Sequence, residues 1–480
     1  MTYAEQATGR EAALQDELTA VRGARWIATA SVVVGALNYL YALLLTRLLD
    51  VSAYATFAAG QSLILCTAAV AVVTVPWMLA QSLARAASEE ERGDAVRFAV
   101  LTGAAGGLLA AAAVAAVAMQ FAGPATTLVL ATTTLLIYVT RVTVGWLQGT
   151  ERLRTLAAVT TSEAALKLVA GLLLVAALGM SDTGALAAFG IAVLPFVVCR
   201  PRRIRSKERP LFKVSAQREL WRRAVGVATL QGVVAVMAAV DMVLVAVLPT
   251  DRAAAASYQA SVMVGRIPLF LAGAVAMAFL PALSRRRAGT PLAASAVGMY
   301  VIVALPLAAV CATAPGAVLT MVFPTGYGSM SALMVYTALA GLALGGLSLI
   351  VTFSQAVSDY GCLRPLALGL VGYVAALLLG WQSGGVTGMA IGAVCGSVVA
   401  LGLLVHRQVR RVGLALPPKA LLLEPLALAG ILVAVRPYTV GWLIAAAVTA
   451  AWAVWRFFGR GDRLGRTRPP VPDPAPRRPR

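Results

Sequence analysis

The sequence predicts an all-α polytopic membrane protein of about 14 transmembrane helices, arranged as two six-helix bundles in a pseudo-twofold pair plus two accessory helices. Three observations lead there. The 480 residues are 60% hydrophobic and only 12% charged, about half the charge of a soluble domain, and the mean hydropathy is +0.83. Apolar runs of about 20 residues, the length a helix needs to cross the hydrocarbon core, recur along the whole chain. The basic residues fall almost entirely in alternate connections between those runs.

In order, the qualifying stretches are roughly 26–48, 54–80, 98–121, 124–147, 156–178, 184–198, 225–248, 254–283, 293–318, 330–356, 365–381, 384–406, 420–435 and 438–455. The first begins too deep and runs too long for a cleaved signal peptide, so it reads as a retained span. Those at 184–198 and 420–435 are short, and the bilayer must thin or their flanks snorkel. With the N-terminus inside, cytoplasmic segments hold 34 of the 40 Lys and Arg. The outer turns hold three (Arg47, Arg252, Arg436) and the spans three (Arg141, Lys167, Arg266). One miscounted span would invert every later loop, so this split supports both termini on the cytoplasmic side of the cell membrane. The net charge of +20 is then an orientation signal, with anionic lipids as partners. It does not indicate nucleic acid, because it punctuates apolar runs rather than lining a polar face.

The organisation follows from the spans. Residues 1–25 form a cytoplasmic N-terminal segment and 26–198 the first bundle. A basic cytoplasmic linker, 199–224, leads to the second bundle at 225–406. A loop and the accessory helices occupy 407–455, and the basic tail 456–480 is expected to be disordered. Six spans per half give both halves one orientation, a parallel repeat. The first spans of the halves start about 200 residues apart, and the second spans open with Tyr54 and Tyr258 and close on Leu83-Ala-Arg85 and Leu283-Ser-Arg285.

Enzymatic chemistry finds little material here. His406 is the sole histidine, and the five cysteines lie far apart with no CxxC pair. No nucleotide loop or metal cluster is present in the sequence, so no catalytic residue, metal or cofactor is expected. Ionisable residues within the spans are the candidates instead. Arg266 lies deep in the eighth span, as a cavity cation shaped to grip phosphate or as the partner of Asp241. Asp241 is a coupling site or that counter-charge. Glu163 and Lys167 are four apart on one helical face, as an internal ion pair or with Lys167 turned to the cavity. Arg141 belongs to the cavity or to the interface. Arg47 is expected to snorkel to the outer headgroups, Asp50 or Ser52 to cap the second span, and Glu424 to reach water. A four-residue stripe, Gly384, Gly388, Gly392 and Gly396, points to close helix packing. Pro76, Pro195, Pro268, Pro281, Pro306 and Pro315 mark expected kinks.

Residues 39–85, reading YLYALLLTRLLDVSAYATFAAG and then PWMLAQSLAR, resemble the start of polysaccharide flippases of the multidrug/oligosaccharidyl-lipid/polysaccharide (MOP) exporter superfamily. There an apolar first helix ends in an Arg-Leu-Leu-type turn and the next begins at a tyrosine. Residues 147–154 (LQGTERLR), Val240-Asp241-Met242-Val243-Leu244-Val245 and Ala256-Ser257-Tyr258-Gln259-Ala260 fit as well, and the resemblance covers about residues 26–406. Tyr54-Ala55-Thr56 departs from it, since a Tyr-Gly step is more typical. The resemblance implies two bundles in a V around a central cavity, and alternating-access transport of lipid-linked oligosaccharides, lipid II or hydrophobic cations.

Three functions compete. A secondary-transport flippase for a lipid-linked oligosaccharide or polysaccharide precursor suits an excess of intramembrane cations, with Arg266, Lys167 and Arg141 as substrate-binding residues. Its partners would be a polyprenyl-phosphate-linked saccharide and the glycosyltransferases or polymerase of the same pathway. A multidrug/cation antiporter of the same fold would want acidic and aromatic cavity residues, and only 7% of this chain is aromatic. A membrane glycosyltransferase or polymerase needs catalytic carboxylates on a sizeable outer loop, and the outer loops are short.

Overall fold

The computed structural model describes residue 30 and residues 33–199, 214–284, 291–356, 359–413 and 419–466. The expected N-terminal segment 1–25, most of the linker 199–224 and the end of the tail 456–480 lie outside the described residues. Within the described residues every regular element is helical.

The N-terminal half holds α1 (Val33–Leu48), α2 (Val51–Arg85), α3 (Glu89–Ala118), α4 (Pro124–Gly149), α5 (Leu153–Leu172), α6 (Ser181–Ile191) and α7 (Leu194–Val198). A π-helical turn, Leu173–Ala177, extends α5. The C-terminal half holds α8 (Val214–Met237), α9 (Val240–Val247), α10 (Arg252–Gly265), α11 (Ile267–Ser284), α12 (Pro291–Thr313), α13 (Gly316–Val322), α14 (Met330–Ala356) and α15 (Leu363–Val412). Last come α16 (Leu423–Val435) and α17 (Thr439–Arg466), which lie against α12.

By length and composition, nine stretches among the described residues qualify as membrane spans, ten with the bent α8–α9 pair. One of the nine is two passes, because α15 leaves helical geometry at Gly384 and Gly385. Its arms then run back along each other. A Cβ at Gly388 would fall 2.0 Å from the Gly380 carbonyl oxygen, and one at Gly392 2.1 Å from that of Ala376. Gly396 abuts Tyr373 in the same way. Three of the four stripe glycines therefore let backbone touch backbone, whereas Gly384 belongs to the turn. With α1 and α16 as shorter apolar helices and α10–α11 as one broken pass, the segments follow the fourteen stretches read from the sequence. Leu108, Leu109, Leu368, Val371, Leu379 and Val440 point outward, an apolar exterior suited to lipid.

Local chemistry explains the starts and breaks. Ser88 caps α3 by accepting from the Glu91 N–H, and Glu89, Glu90 and Glu91 meet the positive helix end. Asp50 caps α2 by accepting from Ala53, and Asp251 caps α10 by accepting from Ala254. These two caps, about 200 residues apart, give the halves a common reference. Counted from them, Tyr54 sits in the first turn of α2, and Tyr258 matches Phe57 instead. Both Phe57 and Tyr258 are fully buried.

Prolines act unevenly. Pro76 and Pro306 lie inside continuous helices. Pro195 opens α7, and Pro315 separates α13 from α12, so the expected span 293–318 ends at Thr313. Two boundaries differ from expectation. Helix α8 begins at Val214, inside the expected linker, and α17 continues through Arg466, inside the expected tail. No proline interrupts 456–466, so the helix continues past the apolar run. Glu424 does not simply face water: it accepts from Arg456.

Candidate functional site

The halves meet where α2 packs on α8, α9 and α10. Each half carries its own buried charges.

In the C-terminal half, two helix breaks place opposite charges together. Pro268 cannot donate a backbone hydrogen bond, and α10 ends at Gly265, with Arg266 as its cap. The chain also breaks at Ala238–Ala239, so Asp241 falls in the first turn of α9. Its Oδ1 accepts from the Met242 N–H at 2.8 Å. Arg266 Nη2 donates to the same Oδ1 at 2.6 Å, and the Tyr258 hydroxyl donates to Oδ2 at 2.9 Å. Arg266 Nη1 lies 3.4 Å from the Met242 Sδ. Both charged side chains are at least nine-tenths buried, at 10% and 4% exposure. A buried pair of this kind costs about 3–5 kcal/mol to break from one side.

The N-terminal half is different. Arg141 on α4 donates to Glu163 on α5 at 3.3 Å, and its guanidinium lies 5.5 Å from the Phe196 ring centre. The Arg141 Nε–H is buried and has no partner among the described residues. Lys167, one turn along α5, makes no ion pair among the described residues. Its ammonium donates to Asn38 on α1 and sits 4.4 Å from the Phe189 ring centre and 5.2 Å from that of Tyr41. It is only 6% exposed. Arg141 has thus taken the carboxylate that helical spacing offered to Lys167. Two cations face one carboxylate here, whereas the C-terminal pair is balanced.

The structure therefore brings Arg266 to Asp241 and Arg141 to Glu163, and leaves Lys167 with an amide and two rings. Among the described residues Arg266 makes its hydrogen bonds within the C-terminal half, away from Arg141 and Lys167. Sequence reasoning missed Asn38, Tyr41, Phe189 and Met242. Asn38 carried a signal, as the only amide side chain in the first span.

A third cluster lies outside the spans, between α14 and α15. Asp359 accepts from Arg407 at 2.5 and 3.0 Å and from the Gly361 N–H at 3.2 Å. Hydrogen bonding to Arg407 holds its carboxyl below the ordinary aspartate range. No metal-type grouping of His, Cys, Asp and Glu occurs among the described residues.

No protein-family model matches the sequence, and no curated protein matches it. Solved structures match by shape. A lipid II flippase, MurJ, in an inward closed conformation aligns with a TM-score of 0.69 at 12% identity, over 91% of this chain and 100% of its own. An inward-facing multidrug resistance MATE transporter of the MOP superfamily aligns at 0.60 with 14% identity, over 78% and 94%. A Vibrio cholerae MATE transporter aligns at 0.56 with 14% identity, over 82% and 98%. At such identities the likeness is one of fold.

Proposed function

We propose that this chain, which has the MOP exporter fold, is a secondary-transport flippase that moves a lipid-linked oligosaccharide or polysaccharide precursor across the cytoplasmic membrane by alternating access. Both termini are cytoplasmic in this reading. The observation that carries it is Lys167, a buried ammonium with no carboxylate partner among the described residues, beside Arg141 and Glu163. An unbalanced cation inside a membrane protein is costly unless something anionic visits it. The phosphate or pyrophosphate of a polyprenyl-linked saccharide supplies that charge, and the unused Arg141 Nε–H offers a further donor. A hydrophobic-cation antiporter would need the opposite balance, and here Asp241 and Glu163 are each engaged by an arginine.

Arg266 takes a supporting role in this reading, holding Asp241 at the two helix breaks. The protein transports without catalytic residues of its own, and its neighbours in the pathway are the glycosyltransferases or polymerase that make and use the saccharide. The test is complementation of a flippase-deficient strain, read alongside membrane abundance. K167A should lower transport by about 10- to 100-fold, the range for a hydrogen bond to a charged group, while abundance holds. K167R should retain part of it. Normal transport by both K167A and R141A would reject the site.

A further inference from the structure

One arginine joins the two halves at the end that the charge distribution assigns to the outside. Arg47 lies in the last turn of α1, and α1 is anchored in the N-terminal half. Its Tyr41 hydroxyl donates to the Ala185 carbonyl at 2.6 Å, and its Asn38 accepts from Lys167. Helix α13 belongs to the other half, between α12 and α14. The carbonyls of its final turn have no donors within the helix. Arg47 supplies them: Nη2 donates to the Met321 oxygen at 2.6 Å and Nε to the Val322 oxygen at 3.2 Å. A cation at a helix C-terminus also meets the negative end of the helix dipole. Arg47 thus reaches across to the C-terminal half instead of snorkelling to headgroups.

The surrounding contacts close the same junction. Arg252, at the start of α10, donates to Ser52 Oγ in the first turn of α2. The Tyr54 and Tyr327 rings meet edge to face, 5.5 Å between centres, and the Tyr327 hydroxyl lies 3.5 Å from the Thr46 carbonyl oxygen. Two turns deeper, Ser62 donates to the Met242 Sδ at 2.9 Å, again from one half to the other.

We propose that Arg47 is the latch of an outer gate. It holds the outer end of the transport path shut by capping α13 across the two halves, and it releases those carbonyls when the halves part. Both acceptors are backbone oxygens, so the latch depends on the geometry of the guanidinium fork as well as on charge. Arg47 is exposed, so water satisfies the freed groups and the contact can break and reform. The latch serves any cargo that leaves by this end, and its test reads accessibility rather than transport.

The reporter is Ser62→Cys, placed beneath the seal at a position 4% exposed, in the full-length chain with its five native cysteines replaced. Intact cells are treated with a membrane-impermeant maleimide. With Arg47 present, labelling should be slow. R47A should speed it by about ten-fold or more, the effect of removing one charge-assisted hydrogen bond, and R47K should fall between, because it keeps the charge and loses the fork. Y327F, which keeps the ring contact, should stay slow. If R47A fails to accumulate, R47Q is read in the same way. Labelling as slow in R47A, or in R47Q where that is the variant read, as in the parent, at equal abundance, would overturn the latch.

Discussion

Asp241 opens α9 and Arg266 closes α10, and their side chains meet 2.6 Å apart where both passes break. Each charge stands at the helix end of opposite sign, the carboxylate at an N-terminus and the guanidinium at a C-terminus. The Tyr258 hydroxyl fills the second carboxylate oxygen. Helix geometry and pairing together keep two charged groups in an apolar interior.

The pair should behave as a unit. R266A or D241A alone should destabilise the protein by about 3–5 kcal/mol, because the remaining charge is buried without compensation. The double variant should recover most of that loss. Thermal unfolding of detergent-purified protein, with membrane abundance beside it, checks this. A double variant no more stable than the singles would contradict it.

Asn38→Asp gives Lys167 the carboxylate it lacks. The prediction is opposite in sign for stability and transport: the melting temperature should hold or rise, while movement of an anionic cargo falls by about ten-fold or more as the site becomes neutral. Asn38→Ala, which removes the amide and adds no charge, should cost stability instead. Equal transport by N38D and its parent would show that the charge balance at Lys167 has no bearing on cargo.

The glycines of α15 divide into two kinds. G388A and G392A should lower the melting temperature clearly, since the added Cβ would fall about 2 Å from a facing carbonyl oxygen and the arms must separate. G384A should be nearly neutral, because nothing lies within 4 Å of its Cβ and its φ is −152°. At Gly385 the φ is +57° and the ψ −137°, a combination that residues other than glycine rarely adopt, so alanine there is strained by about 1–3 kcal/mol even in open space. Thermal melts should place G388A and G392A lowest, G385A next and G384A nearest the parent.

Asp359 gives a pH dependence. Its carboxyl is held below the ordinary range by Arg407, so its contribution is complete above the ordinary aspartate value of about 3.9 and is lost as pH falls through the depressed native value. Melting temperatures measured from neutral pH down to about pH 3 should drop more for the parent than for D359N. Parallel curves would show that the Asp359–Arg407 contact adds nothing.

Much of this fold was legible because crossing a bilayer demands length and apolarity, both of which are written in composition. The interruption near Arg266 was legible only as an expected kink at Pro268, because a proline need not end a helix, as Pro76 and Pro306 show. The break at Ala238–Ala239 was not legible, because neither residue opposes a helix. Spacing also misassigned Glu163. The rule for residues four apart offered it to Lys167, but Arg141 arrives from another helix, and only the tertiary arrangement reveals that. The tail boundary failed for a related reason: hydropathy marks where a helix stops being apolar, not where it stops being a helix, and α17 runs on to Arg466.

The glycine turn of α15 bears on how the protein is made. Its two arms are joined by two residues and touch through backbone from Gly380–Gly388 outward. That interface needs no partner from elsewhere in the sequence, so its contacts are as local as contacts between two passes can be. The pair can close as soon as its second arm has left the ribosome, and the rest of the C-terminal half then assembles against a finished hairpin.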